Sequence, residues 1–373
     1  MRPGPTKLTA LHHLLLQPAL SQPPIPLPQG TGRYSISLTN QEWTDPTRPD
    51  PFNQSHPRRI MTSRFDPVPP SQCHSKQVPY MPPTTAAVED EILAAYGYPK
   101  GLWARFVQEE KWPLALFSPG LNTTRFFSNH LAQEIASHGF TVISMDHPYD
   151  TDVVEFPNGD VVFGGRVEWP ANGSTASVEH ALEVRAKDAS FVLDRLGIGR
   201  SEEQRAVMFG HSFGGAAAAT ALLNDGRFRA GINIDGTMFG PVLNYSLGTL
   251  SRPQAFMLFG SDGHSSFTDP SWSQFWAALN GSANVDYKKE FSITKSVHGS
   301  YWDLNILVDI AGIREELSEM AKLIIGPVPG KRVWEVMGRY APAFFRFALR
   351  LEEEDRVLRG EDGDFPDVVL LRG

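Results

Sequence analysis

The sequence has 373 residues and a mass of 41.3 kDa, of which 41% are hydrophobic and 20% are charged. This composition can bury a large core and excludes a disordered chain, and a net charge of −8 without basic runs argues against nucleic-acid binding. The single cysteine, Cys73, excludes an intramolecular disulfide and any cysteine-based zinc or iron–sulfur site. We expect no metal and no cofactor.

The first 21 residues have the outline of a secretory signal peptide. Arg2 and Lys7 precede the mostly apolar stretch 8–20, and small residues follow at the spacing of a cleavage site. A disordered N-terminus is the alternative, because histidines and a glutamine interrupt the apolar stretch. Further along the chain, no apolar run reaches the roughly 20 residues of a membrane-spanning helix.

Five N-x-[ST] sequons give independent support for secretion. The content of Asn, Ser and Thr would give about 1.5 by chance. The five asparagines are Asn53, Asn122, Asn172, Asn244 and Asn280. We therefore predict a secreted, extracellular glycoprotein, and an intracellular protein is the alternative because the chain has no cysteine pair.

Residues 22–85 are rich in proline and are predicted to form an irregular wrap around a main domain at 86–373. Within this segment we predict strands at 34–38 and 58–65. Three Asp-Pro pairs, beginning at Asp45, Asp50 and Asp66, are predicted to be turns.

From about residue 112 the pattern alternates between strands and helices. Strands are predicted at 114–118, 140–145, 205–209, 230–234, 255–259 and 291–295, and a hairpin at 153–163. Helices are predicted at 125–138, 174–196, 213–223, 272–279 and 339–353. This order predicts an α/β fold with a mostly parallel central sheet and helices on both faces.

The strongest local signal is Gly210-His211-Ser212-Phe213-Gly214. A bare G-x-S-x-G is weak, but here it follows an apolar strand directly and precedes a helix-forming run. This is the context of a nucleophile elbow, where bulky side chains in place of the flanking glycines would collide across the tight turn. We therefore predict Ser212 as a nucleophile; the alternative is a glycine-rich turn with an idle serine.

A serine nucleophile needs a base, and the base needs an acid, in the chain order Ser, Asp or Glu, His. Of the two histidines after Ser212, His298 follows the last predicted strand and is the predicted base, whereas His264 is interpreted as a surface-loop histidine. Asp235 and Asp262 each follow a predicted strand. Spacing alone leaves both open as the acid, and each could instead be a turn aspartate.

The oxyanion formed on the attacked carbonyl needs two backbone N–H donors. We predict one from Phe213 and the other from Leu121, in the loop after the strand at 114–118. The same loop could simply begin a helix.

Several segments resemble the platelet-activating factor acetylhydrolase family, of the fungal type. They are Ser-Pro-Gly-Leu at 118–121, Ala-Ser-His-Gly-Phe at 136–140, Gly-His-Ser-Phe-Gly-Gly at 210–215, Ile-Asp-Gly-Thr-Met-Phe at 234–239, Val-His-Gly-Ser at 297–300 and the strand-like segment 59–67. The resemblance covers about residues 32–310, with no match past residue 325.

The resemblance implies a calcium-independent serine esterase of the α/β-hydrolase fold. Transferred onto matching positions, it selects Asp235 over Asp262 as the acid and supports Leu121 and Phe213 as oxyanion donors. It implies hydrolysis of short acyl groups at the sn-2 position of phospholipids, with acetate released from the substrate that names the family.

The leading hypothesis is thus a monomeric serine esterase that makes transient contact with a lipid surface. A broader carboxylesterase or polyester hydrolase, cutinase-like and with Asp262 as the acid, is the alternative within the same class. A non-catalytic secreted binding protein on the same scaffold is the alternative from another class. The tryptophans at 169, 272, 276 and 302 are candidates for lipid contact or an acyl pocket, or else core anchors.

Overall fold

The computed structural model describes residues 25–26, 30–68, 78–99, 101, 103, 106–108, 114–199, 206–247 and 253–373. The predicted signal peptide at 1–21 and Cys73 lie outside these ranges.

The described strands follow one another along the whole chain. They are β1 (Ile25–Pro26), β2 (Ser35–Pro49), β3 (Pro57–Val68), β4 (Val78–Pro79), β5 (Phe106–Gln108), β6 (Ala115–Ser118), β7 (Val142–Asp146), β8 (Val153–Glu155), β9 (Val161–Phe163), β10 (Ala206–His211), β11 (Phe228–Ile234), β12 (Gln254–Gly260), β13 (Val285–Ile293) and β14 (Val368–Arg372).

The described helices lie mostly between these strands. They are α1 (Pro83–Ala94), α2 (Asn129–Ser137), α3 (Ala176–Arg195), α4 (Phe213–Asn224), α5 (Pro270–Asn280), α6 (Asp303–Ala311), α7 (Glu319–Ile325) and α8 (Gly330–Ala348), with short 3-10 helices at Arg125–Ser128, Gly240–Leu243, His298–Tyr301 and Arg314–Glu316.

Within the described residues, one sheet has nine strands in the order β14-β13-β12-β11-β10-β6-β7-β3-β2. The six strands from β13 to β7 run parallel to one another, and β14, β3 and β2 join the edges in antiparallel pairs. The carboxyl ends of β6, β10, β11, β12 and β13 therefore meet at one edge. The loops that follow them carry the predicted site residues.

The two faces of this sheet are covered by different helices. Alternate residues of β10 point to opposite sides: Phe209 packs in a core with α2 and α8, and Met208 packs in a second core with α3, α4 and α5. The predicted architecture, a mostly parallel central sheet with helices on both faces, is confirmed.

Most predicted elements from residue 114 onward are confirmed within a few residues, including the hairpin β8–β9. The helix predicted at 125–138 begins as a 3-10 turn and becomes α-helical at Asn129. The helix predicted at 339–353 instead runs from Gly330 to Ala348. Gly338 lies inside this helix at its contact with α2, where a Cβ would lie 2.3 Å from Glu134 Oε1.

Two of the three predicted Asp-Pro turns are wrong. Asp45 and Asp66 lie inside β2 and β3, and only Asp50-Pro51 lies at the bend between them. Proline is tolerated in β2 because that strand is the edge of the sheet, and Pro67 lies beyond the residues of β3 that pair with β7. The hairpin β2–β3 from the proline-rich segment is thus part of the main sheet.

Candidate active site

Ser212 occupies the sharp turn between β10 and α4. Its backbone has φ +56° and ψ −126°, a conformation that an L-residue adopts only when its surroundings enforce it. Its N–H donates to the Ile234 carbonyl of the neighbouring strand β11 at 2.8 Å. The strand–turn–helix geometry predicted for this motif is therefore present.

The glycines around Ser212 allow backbone segments to touch. A Cβ on Gly214 would lie 1.8 Å from the Ser118 carbonyl oxygen, and one on Gly210 would lie 2.3 Å from the Gly214 carbonyl carbon. Both contacts are with backbone, which cannot move aside. The predicted steric reason for these two glycines is confirmed.

Asp235, directly after β11, bonds to the imidazole of His298. His298 Nδ1 lies 2.6 Å from Asp235 Oδ2, and the Asp235 carboxylate is 2% exposed. Asp262 lies elsewhere: it is exposed, and its carboxylate accepts a hydrogen bond from the Lys295 N–H. The structure therefore brings Asp235, and not Asp262, to the predicted base.

The interpretation of His264 as a surface-loop histidine is wrong. His264 Nδ1 lies 2.7 Å from Asp235 Oδ1, and its Nε2 lies 2.9 Å from Asp269 Oδ2. Asp235 Oδ1 also accepts the Ser261 N–H at 2.6 Å. Burial alone would raise the pKa of Asp235, but the hydrogen bonds from His264 and His298 hold it well below its usual range.

His211, the residue before the serine, holds the backbone of His298. Its Nε2–H donates to the His298 carbonyl at 3.0 Å, and the two rings lie 4.5 Å apart. Burial, together with the charge of His298, lowers the pKa of His211 to about 3, so this ring is neutral at physiological pH. The elbow thus positions the base loop as well as the serine.

The loop after β6 lies directly against Ser212. An added Cβ on Gly120 would be 3.4 Å from the Ser212 Cβ. Arg185 of α3, fully buried, donates to the carbonyls of Pro119 and Gly120 and pairs with Asp150 through two bonds of 2.6 Å. Because peptide bonds are trans, the Leu121 N–H points the opposite way from the Gly120 carbonyl, away from Arg185.

Phe213 N–H is the first of helix α4, where the initial N–H groups have no partner within the helix. The Arg185 guanidinium also lies 4.6 Å from the centre of the Phe213 ring. One buried cation therefore contacts both segments that carry the predicted oxyanion donors.

Beneath this loop, Ser118, His147 and Asp188 form a second hydrogen-bonded series of the same three residue types. Ser118 Oγ lies 3.0 Å from His147 Nε2, and His147 Nδ1 lies 3.0 Å from Asp188. All three are fully buried, and Arg185 also donates to Ser118 Oγ. This cluster cannot meet a substrate; it fixes the base of the loop.

Ser212 opens into a pocket of about 330 Å³. Its remaining walls are two histidines, the aspartate that they share, one threonine and three aromatic side chains. These residues are His264, His298, Asp235, Thr237, Phe213, Phe239 and Trp169. Trp169 is 59% exposed and meets Phe239 edge-on, whereas Trp272 and Trp276 are buried in the core. Of the four tryptophans considered from the sequence, only Trp169 lines the pocket.

Sequence reasoning missed three residues that hold the site in place. His264 carried a usable signal, since it is one of only two histidines after Ser212 and Asp269 follows five residues later. Arg185 carried a weaker one, a charged residue between apolar positions of a helix. His147 gave none, because its partners Ser118 and Asp188 are distant in sequence.

Comparison with known proteins identifies the family. The model of platelet-activating factor acetylhydrolase, isoform II, matches residues 92–154 and 183–354, more than half of the chain. The chain belongs to the platelet-activating factor acetylhydrolase family. The family predicted from the sequence segments is thereby confirmed.

Relatives of this acetylhydrolase-family chain carry esterase names. A probable 1-alkyl-2-acetylglycerophosphocholine esterase of Arthroderma benhamiae is 37% identical, covering 92% of this chain and 93% of its own. A platelet-activating factor acetylhydrolase of Cavia porcellus is 26% identical, covering 68% and 62%. The solved ferulic acid esterase of Streptomyces cinnamoneus superposes with a TM-score of 0.73 at 26% identity, covering 93% of this chain and 99% of its own.

These relatives confirm an α/β-hydrolase fold and a carboxylic ester hydrolase. Across the described ranges, no group of three or more His, Cys, Asp or Glu side chains could hold a metal ion. Nor does any helix in the described part of this acetylhydrolase-family chain have the length and apolarity to cross a membrane.

Replacing each aspartate by asparagine distinguishes their roles in this esterase. We expect Asp235→Asn to lower kcat on a short nitrophenyl ester by about 10⁴-fold, because an amide no longer holds His298 in the productive tautomer. Asp262→Asn, the matched control in the next loop, should change kcat by less than about twofold. A large loss in the Asp262 variant and a small one in the Asp235 variant would reverse the assignment.

Proposed function

We propose that the protein hydrolyses short acyl esters, above all the sn-2 acetyl or short acyl group of platelet-activating-factor-like phospholipids, through an acyl-enzyme on Ser212. The observation that carries the proposal is the Asp235–His298 hydrogen bond in the same pocket as a serine held in a strained turn. The names of the acetylglycerophosphocholine esterase and acetylhydrolase relatives support this substrate class.

In the proposed mechanism, Ser212 Oγ attacks the ester carbonyl and His298 takes its proton. Asp235 accepts from Nδ1 of His298, which leaves Nε2 as the nitrogen that acts as the base. The proton then passes to the leaving alcohol, whose bond to the acyl carbon breaks. Water, deprotonated by the same nitrogen, attacks the acyl-serine. The bond between the acyl carbon and Ser212 Oγ then breaks, His298 returns the proton to Oγ, and the carboxylic acid is released.

We assign the oxyanion donors to the backbone N–H groups of Leu121 and Phe213. The orientation of the Gly120 carbonyl toward Arg185 supports Leu121, and the position of Phe213 at the start of α4 supports the second donor. Arg185 positions these segments without touching the substrate. Preorganised donors of this kind stabilise the charge that develops in the transition state.

The pocket favours a small acyl group. Its volume of about 330 Å³ is at the lower end of the roughly 300–1,000 Å³ of typical ligand sites, and Phe213, Phe239 and Trp169 supply apolar walls. Trp169 is exposed at this pocket, and exposed aromatic side chains are typical of surfaces that contact a lipid interface. We therefore propose that the monomeric enzyme draws its substrate from transient contact with a lipid surface.

Replacing the nucleophile tests the mechanism. We expect Ser212→Ala to lower turnover of a short nitrophenyl ester by about 10⁵-fold and to abolish labelling by a fluorophosphonate probe, because no other group supplies the attacking oxygen. Ser273→Ala, an exposed serine on α5, is the matched control and should leave both unchanged. Retained turnover in the Ser212 variant would contradict the proposed nucleophile. An unlabelled parent protein without turnover would instead favour the binding-protein hypothesis.

A substrate series tests the specificity. We expect kcat/KM on glycerophosphocholines to fall at least tenfold when the sn-2 chain grows from two to eight carbons, because the longer chain exceeds the pocket. Simple esters of the same acyl lengths are the control for headgroup preference. Equal rates on long-chain lipids, or higher rates on feruloyl or polyester substrates, would favour the broader carboxylesterase, which the structural match to a ferulic acid esterase makes the second candidate.

We also propose that the protein is secreted and glycosylated. Asn172, Asn244 and Asn280 are exposed, whereas Asn53 and Asn122 are partly buried. On expression with its N-terminal segment in a eukaryotic host, we expect the protein in the medium, with a mass that falls on treatment with an N-glycosidase. Replacing the three exposed asparagines by Gln should abolish that mass difference. Retention in the cell would contradict the proposal.

A further inference from the structure

His264 links the predicted acid to the start of helix α5. It lies in the loop after β12, with Nδ1 2.7 Å from Asp235 and Nε2 2.9 Å from Asp269. Asp269 in turn caps α5, accepting the Ser271 N–H at 2.7 Å with its other oxygen. The His264 ring lies 4.3 Å from the ring of Trp272, a fully buried side chain of the same helix.

The hydrogen bonds of His264 require a protonated ring. A carboxylate only accepts hydrogen bonds, and each nitrogen of His264 faces one, so both nitrogens must carry a proton. Burial alone would lower the pKa of His264, but its hydrogen bonds to Asp235 and Asp269 raise that pKa to about 9. Burial alone would raise the pKa of Asp269, but the hydrogen bonds from His264 and Ser271 together lower it to about 2. At neutral pH, His264 is therefore a cation between two anions.

This cation shares one carboxylate with His298. His264 and the Ser261 N–H bond to Oδ1 of Asp235, and His298 bonds to Oδ2. The carboxylate is held on three sides, so it cannot rotate away from His298. The positive charge of His264 also offsets part of the negative charge of the Asp235 carboxylate, so the field that acts on His298 is weaker.

We propose that His264 is a positioning residue that fixes the Asp235 carboxylate and offsets its charge, so that the esterase stays active to a lower pH than an Asp–His pair alone would allow. This inference rests on the proposed function of Ser212, Asp235 and His298. His264 itself does not transfer the proton, because both of its nitrogens are occupied by carboxylates. Its effect passes through Asp235 to His298.

The charged groups that face His264 come from two loops and a helix start. Asp235 follows β11, Asp269 caps α5, and His298 lies beyond Asp235 in the 3-10 helix after β13. Trp272 covers the ring without charge. Removing the His264 cation leaves the full charge of Asp235 to act on His298, and an unscreened carboxylate stabilises a neighbouring imidazolium.

His264→Asn separates the charge from the hydrogen bond, since the Asn amide nitrogen sits near the position of Nδ1 and is neutral. We expect the acidic limb of the pH profile of kcat/KM to move up by about one pH unit, with a smaller loss at alkaline pH. At a pH below both midpoints, this shift means about a tenfold lower kcat/KM. Asp262→Asn, in the same loop but away from His264, is the control and should keep the parent midpoint.

A second measurement does not depend on activity. Nitrogen NMR of the His264 ring in the parent protein should show both nitrogens protonated up to about pH 9, and Asp269→Asn should lower the titration midpoint of that ring by at least about one unit. A neutral His264 ring at pH 7.5 in the parent protein overturns the inference.

The inference is also overturned if His264→Asn lowers kcat/KM equally at every pH while Ser212 still reacts with the fluorophosphonate probe. That result would leave the proposed function intact. Failure of the probe to label Ser212 in the parent overturns the proposed function instead.

Discussion

The close backbone contact between the turn at Ser212 and its two neighbouring loops is the constraint on which the site depends. Gly214 lies against the carbonyl of Ser118, the last residue of β6. A Cβ on Gly236, after β11, would lie 1.9 Å from the Ser212 carbonyl oxygen. The ends of the three adjacent strands β6, β10 and β11 are therefore in direct backbone contact. A Cβ at either position would push these segments apart, so Leu121, Ser212 and Asp235 would separate together.

Buried charges extend this constraint away from the pocket. Arg185 holds the loop after β6, and Ser118 connects that loop through His147 to Asp188. Asp188 also pairs with Arg58 of β3 at 2.7 Å, and both side chains are fully buried. Because an unpaired buried charge is strongly unfavourable, removing Arg58 would leave the buried Asp188 carboxylate with fewer partners at a large energetic cost. The edge hairpin β2–β3 is thus connected through buried charges to the loop beside Ser212.

After β11, the single carboxylate of Asp235 bonds to two imidazoles, those of His264 and His298. Burial by itself would raise the pKa of Asp235 and so disfavour its ionised form, but the hydrogen bonds from both rings lower that pKa and keep the carboxylate ionised. His211, on the other side of His298, is kept neutral by burial and adds no further positive charge. Burial and hydrogen-bond partners therefore set the pKa values of Asp235 and His211. The described residues contain no cluster of metal ligands.

The sequence by itself determined the alternation of strands and helices, the elbow at Ser212 and the family, because each depends on neighbouring residues or on short contiguous segments. The need for glycine at Gly210 and Gly214 also follows from the sequence, because the tightness of a strand–turn–helix is a local property. Residue spacing left Asp235 and Asp262 open, and only the family resemblance favoured Asp235. The tertiary structure places Asp235 at His298, because both aspartates follow strands of one parallel sheet and differ only in where their loops turn. It also revealed His264 and Arg185, whose roles come from partners on other strands and helices, and the close contact of Gly338 in α8 with Glu134 of α2.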